Sequence, residues 1–220
     1  MLDLFGVEVW ITETIVNTWV IVLLLIVLAI FIRIKLRKFE SVPKGFQNVV
    51  EVVVEAFDNL VRGVTGERLM YLGNWFFMVA AFILFSSLGG MLGLRPPTAD
   101  WATTFAFSLV TFMLIHALGI RYRKGKYLKS FIEPNIIFLP LNLIGELARL
   151  VSLSFRLFGN ILTGLILMPL IYTLLPLIFR FGLPAFLHAY FDIFTGVLQT
   201  YIFCILSLSF ITTAAPFENK

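Results

Sequence analysis

Apolar runs of membrane-spanning length follow one another from Val16 to Ala214, parted only by short charged or turn-rich stretches. A run of about 20 apolar residues crosses a bilayer as a helix, because no backbone polar group can be left unpaired in hydrocarbon. Only 14% of the 220 residues are charged and 60% are hydrophobic, against about 25% charged in ordinary soluble domains. Too few charges remain to clothe a water-facing surface, which excludes a soluble enzyme, a disordered tail and a secreted disulfide scaffold. Cys204 is the only cysteine, so no intrachain disulfide and no cysteine metal site can form. The expected fold class is all-α: a polytopic membrane protein forming one membrane domain over residues 1–220. No cleavable signal peptide is expected, because residues 1–13 contain no Lys or Arg.

The charges order the spans. A first span over residues 14–31 is preceded by Asp3, Glu8 and Glu13 and followed by Arg33, Lys35, Arg37, Lys38 and Lys44. The positive-inside rule puts the N-terminus outside and this basic loop in the cytoplasm. Spans over 75–92 and 102–120 bring a second basic loop, Arg121, Arg123, Lys124, Lys126 and Lys129, to the same side. Between the first two spans, residues 46–64 carry Glu51, Glu55, Asp58 and Arg62 on one helical face. Val49, Val50, Val53, Phe57, Leu60 and Val64 fill the other. This is an amphipathic helix, lying on the interface or packed on the protein's own loops.

Two further segments are too long for upright spans. Residues 136–179 would make a helix of about 66 Å, and residues 185–214 one of about 45 Å, against a hydrocarbon core of about 30 Å. They are split, kinked at Pro169 or Pro176, or strongly tilted, and Gly182 and Pro184 mark a hairpin turn between them. The return of this hairpin places the C-terminus in the cytoplasm. Each long segment carries one polar stripe. Asn142, Glu146, Arg149, Ser152, Arg156, Asn160 and Thr163 recur in steps of three and four along the first. His188, Asp192, Thr195 and Gln199 do so along the second, and Ser207 continues their face. An arginine at mid-membrane costs about 2.5–3.5 kcal/mol on insertion scales. Such a stripe lines water, a partner or an ion path; the plain alternative is a static Arg156–Asp192 ion pair with interhelical hydrogen bonds. Arginine does not release its proton in proteins, whereas Asp192 and His188 exchange theirs.

The segment Arg156-Leu157-Phe158-Gly159-Asn160, preceded by Ser152-Leu153-Ser154-Phe155, resembles the signature of subunit a of the F-type ATP synthase membrane sector, the ATPase A chain family. Pro140-Leu141-Asn142-Leu143-Ile144 upstream, Pro97-Thr98-Ala99-Asp100 in the outer loop and Leu198-Gln199-Thr200-Tyr201-Ile202-Phe203 in the last helix extend the likeness from about Phe46 to Ala214. The resemblance implies two strongly tilted helices wrapped on a rotating ring of c subunits, each with one mid-membrane carboxylate. Two laterally offset half-channels would serve that carboxylate, with Arg156 between them.

By the same resemblance Gln199 stands near Arg156. Asn160 and Ser152, one turn on either side of Arg156, line the inner path or else make plain helix contacts. Asp192 lies where relatives often carry His or Glu and is expected to relay protons on the outer side, with His188 extending that path. Relatives with an acid shortly after the signature differ from this chain, where Leu165 is apolar, so Asp192 carries more of the burden. Glu146 and Arg149 read as a surface or inner-mouth pair, and His116 as a packed helix residue. Expected partners are the c-subunit ring, the b subunit or peripheral stalk, the lipid bilayer and, indirectly, the soluble F1 sector, with no nucleic acid. The amphipathic helix and the basic loops are candidate stalk-docking surfaces. No phosphate-binding glycine motif and no metal constellation occur, so no cofactor is expected and nucleotide chemistry belongs to other chains. The short chain without a transit peptide suggests a bacterial plasma membrane. A stand-alone transporter or a structural membrane anchor remain the competing functions, although no internal repeat supports the first.

Overall fold

The computed structural model describes residues 2–4, 7–9, 12–36, 43–133, 135–174, 176 and 182–215. A two-stranded antiparallel ribbon, β1 (Leu2–Leu4) and β2 (Val7–Val9), pairs Leu2 with Val9. The rest of the ordered architecture is helical: α1 (Glu13–Leu36), α2 (Phe46–Thr65), α3 (Gly73–Met91), α4 (Trp101–Arg123), α5 (Gly125–Ser130), α6 (Leu139–Leu174), α7 (Leu183–His188) and α8 (Thr195–Ala214). Short 3₁₀ turns lead into α3, α4 and α6, and a π turn, Ala189–Phe194, joins α7 to α8. Among the described residues five helical stretches are long and apolar enough to cross a membrane: Glu13–Leu36, Glu67–Met91, Trp101–Arg123, Ile136–Leu174 and Leu183–Ala214. The chain is an all-α polytopic membrane protein.

The two long apolar segments resolve differently from one another. α6 runs unbroken through Pro169 to Leu174; Pro176 lies beyond its end, and residues 175 and 177–181 fall outside the described residues. Pro184 stands in the first turn of α7, where its missing N–H removes no helical bond.

Burial is concentrated where α3, α4 and α8 meet. One cluster joins Val61 of α2, Phe76 of α3, Ile115 and Leu118 of α4, and Leu208 and Ile211 of α8. A second joins Val79 and Ile83 to Phe203 and to Leu153 and Leu157 of α6. The apolar face of α2 is therefore divided. Its C-terminal half enters the core through Val61, Phe57 and Leu60, while Val49 and Val53 of its first half stay exposed. α1 lies at the edge, with nearly all its large apolar side chains exposed, as a helix solvated by lipid requires.

Close approach of α3 to α8 depends on Gly196. A Cβ there would stand 2.7 Å from Cβ of Ser87, which is backbone-near and has no room to yield. Small residues at such crossings let helices meet in lipid. Gly196→Ala is expected to lower stability by about 1–3 kcal/mol. Gly63→Ala, at an open helical position of α2, is expected to gain about 0.5–1 kcal/mol. Thermal unfolding of the purified assembly compares the two.

Candidate ion-path site

Arg156 lies at the middle of α6. Leu150, Leu153 and Leu157 bury the opposite side of the helix against α3, α4 and α8. The middle of the polar stripe consequently faces out of the subunit: Ser152, Arg156 and Thr163 are all exposed, among exposed apolar neighbours such as Val151, Phe155 and Ile166, whereas Asn142 and Glu146 at its start are half-buried. The Arg156 side chain has no hydrogen bond or ion pair among the described residues. The static Arg156–Asp192 pair is not formed, because Asp192 is engaged elsewhere. Its Oδ2 lies 2.7 Å from Nδ1 of His188, one turn earlier.

A cavity of about 370 Å³ opens between α3, α6 and the α7–α8 segment. His188, Asp192, Asn160 and Gln199 all line it. Gln199 is 2% exposed, and its Oε1 accepts a hydrogen bond from Nδ2 of Asn160 across the α6–α8 contact. That bond sits one turn from Arg156, so the cavity ends just short of the guanidinium. Ser152 lies a turn to the other side of Arg156, outside the cavity on the exposed face. The six residues singled out from the sequence thus fall into two groups: four around one half-open cavity, and Arg156 with Ser152 on the exposed face beyond it.

Sequence reasoning missed several lining groups. Ser87 of α3 is buried, and its hydroxyl lacks a partner, as does Nε2 of Gln199. Buried polar atoms of this kind ordinarily hold water when space allows. Gly90 gives the Asp192 carboxylate its room, since a Cβ there would lie 3.1 Å from Oδ1. Glu13 and Arg95 stand at the end of the cavity nearest the α1 N-terminus and the α3–α4 loop, with Arg95 held by Asp100 at 3.0 Å. The only signal in the sequence is the run Ser86-Ser87-Leu88-Gly89-Gly90, polar and small in an otherwise large-residue helix.

The π turn gives the Asp192 region its shape. Inserting one residue into the turn widens the helix locally; the Thr195 hydroxyl donates to the Tyr190 carbonyl five residues back. Asp192 lines the cavity from this turn, His188 from the end of α7 before it, and Gln199 from the regular helix after it. Chemically, the site is a largely apolar cavity with room for several waters, into which the His188–Asp192 pair, Asn160 and Gln199 present polar groups, with a fixed cation one helical turn from Asn160.

Comparison with known proteins agrees with the signature. The family model of the ATP synthase A chain matches residues 15–212. ATP synthase subunit a of Syntrophobacter fumaroxidans is 34% identical, with 90% of this chain and 82% of the relative covered. Subunit a of Desulfosudis oleivorans is 35% identical, covering 91% and 86%, and that of Moorella thermoacetica 34%, covering 90% and 88%. A match spanning residues 15–212, nearly all of the chain, shows that the chain belongs to the ATP synthase A chain family.

Proposed function

We propose that this chain is the ion-translocating stator of an F-type ATP synthase, and that Arg156 separates two offset half-channels that serve the carboxylates of a c-subunit ring. As a member of its family it is a non-catalytic subunit of the membrane sector, so its chemistry is confined to moving ions. The observation that carries the reading is an unpaired arginine at mid-helix, exposed on an apolar face and one turn from the Asn160 that lines the cavity of Asp192, His188 and Gln199. A lone guanidinium at such depth needs a negative partner, and no carboxylate of its own chain fills that place among the described residues.

Electrostatics turns the arrangement into a mechanism. A ring carboxyl is neutral while it faces lipid, because an ionised one is too costly there. Beside Arg156 the positive charge favours its ionisation, and the proton leaves along the inner path past Ser152. On the other side of the guanidinium the carboxylate meets the cavity. Asp192, paired with His188, returns a proton by way of water held by Asn160 and Gln199, which assigns Asn160 to the cavity side and not to the inner path expected for it. Arg156 repels any proton attempting to pass straight between the two paths. A membrane potential supplies about 2.3 kcal/mol per charge per 100 mV, so transfer in one direction turns the ring one way.

The cavity end, with the chain's N-terminus, is assigned to the outer side, and the basic-loop end with the C-terminus to the cytoplasm of a bacterial cell. The exposed first half of α2 and the basic loops are assigned to the peripheral stalk. Mild-detergent purification tests the assignment: a ring of small hairpin subunits with a mid-helix carboxylate is expected to co-purify with this chain. A chain that purifies without such a ring, while exchanging ions across vesicles by itself, would be a stand-alone transporter.

A further inference from the structure

At the end of the bundle opposite the cavity, three buried polar atoms have no partner: Nδ1 of His116, the hydroxyl of Tyr127 and Oε2 of Glu146. They come from α4, α5 and α6 and belong to one cluster. Tyr127 is 5% exposed. Its ring lies on the backbone of Gly119, where a Cβ would come within 2.6 Å of it, and meets the His116 ring edge-on at 6.0 Å between centroids. Phe131 closes the cluster, 5.2 Å from the Tyr127 ring and 6.2 Å from that of His116.

Glu146, on α6, lies near enough for its charge to act on the phenol. Burial foremost, and the negative charge of Glu146 next, raise the Tyr127 pKa, against the smaller opposing pull of Arg149 and Arg123. The other oxygen of Glu146, Oε1, accepts a hydrogen bond from Arg149 at 2.7 Å. Arg149 in turn rests on the Phe210 ring of α8 at 5.4 Å. The charged groups around the cluster are therefore Glu146, Arg149, Arg123 and, when protonated, His116.

Leaving buried donors and acceptors unmade is costly, and a water bonded to two or more of them is the usual remedy. We propose that His116, Tyr127 and Glu146 share a water-binding site through which Glu146, at the inward-turned start of the α6 stripe, exchanges protons with the basic-loop side. The proton passes from the enclosed water to Oε2 of Glu146 and back, and the water is re-protonated from solvent at the loop side. Tyr127 keeps its own proton and holds the water as a fixed donor. This inference rests on the ion-path reading above.

The test uses the intact synthase carrying this subunit, reconstituted in vesicles, with ATP-driven proton pumping measured against pH on the basic-loop side. Tyr127→Phe keeps the ring on Gly119 and removes only an already unpaired oxygen, so assembly is expected to survive. Glu146→Gln and Tyr127→Phe are expected to slow pumping about three- to tenfold at about pH 8, where protons are scarce, and hardly at all at about pH 6; proton-transfer groups commonly contribute more than this. Glu146→Asp is expected to recover most of the rate. A loss that is equal at both pH values, or none in Tyr127→Phe, overturns the site and leaves a packing role. Arg156→Ala in parallel keeps the two ideas apart. If that variant still pumps, the ion-path reading itself fails; if it does not pump while the cluster variants show no pH effect, only this inference fails.

Discussion

Arg156→Ala is expected to abolish proton-coupled rotation while leaving the subunit folded and assembled. The two halves of this expectation have separate physical grounds. Assembly survives because the Arg156 side chain makes no hydrogen bond or ion pair within the chain and its helix is anchored from the other side by Leu153 and Leu157. Removing an exposed, unpaired charge from an apolar face eases insertion of the isolated subunit. Coupling fails because the ring carboxylate loses the charge that favours its ionisation. At about 4 Å and an effective dielectric of about 20, that attraction is about 4 kcal/mol, or about three powers of ten in the ionisation equilibrium. The barrier to direct proton passage between the half-channels disappears with it, so a gradient is expected to leak through the assembled sector. Arg156→Lys keeps a charge but offers a group that releases its proton when desolvated, and is expected to fall between the two. The measurements are ATP-driven pumping and passive proton leak in vesicles, with the amount of assembled subunit as the control. Coupled transport at the native rate in Arg156→Ala would remove the arginine from the mechanism and leave a structural anchor.

The outward direction of the α6 stripe was legible in the sequence because one physical rule governs it. Steps of three and four put Ser152, Arg156 and Thr163 on one face and Leu150, Leu153 and Leu157 on the other, and at mid-helix these leucines are buried while the polar three are exposed; nearer the helix start the pattern fails, with Leu143 and Leu147 exposed and Glu146 half-buried. Membership of the family was legible from the five residues beginning at Arg156, and the comparison over residues 15–212 agrees with it. The second stripe was legible only in part. Its spacing assumes a regular helix from His188 to Gln199, whereas the chain passes through a π turn over Ala189–Phe194; no residue type there announces a widened turn. Glu13 and Arg95 were not legible as cavity groups, and Ser87 and Gly90 only as part of a small, polar run in α3. They reach it by contacts between elements far apart in the chain, and each has an unremarkable local reading: a helix hydroxyl, a small residue, a topology-setting acid and a loop cation. The amphipathic pattern of α2 did not reveal that its apolar face serves two environments, because a hydrophobic stripe looks the same whether lipid or protein covers it.

Asp192→Asn is expected to slow proton transfer on the cavity side about 10- to 100-fold, toward the lower part of the range over which positioned acid–base groups act. The substitution is nearly isosteric. It fits the space that Gly90 leaves, where a Cβ would already lie within 3.1 Å of the carboxylate, and an amide can still pair with Nδ1 of His188. Packing and assembly are therefore expected to match the parent, and what is lost is the capacity to take up and release a proton. The effect should be large because Leu165 and the other α6 residues lining the cavity supply no second carboxyl there. Among the lining residues, the acids are Asp192 and, at the far mouth, Glu13. His188 is then the one titratable group left beside the vacated position, so the form of the pH dependence on that side must change along with the rate. Synthesis driven by an imposed gradient and ATP-driven pumping, each followed across outer pH, read the same step in opposite directions and should slow together. A variant whose pumping keeps both the parent rate and the parent pH profile would show that protons reach the ring carboxylates without Asp192, and the relay would have to run through water held by Ser87, Asn160 and Gln199 alone.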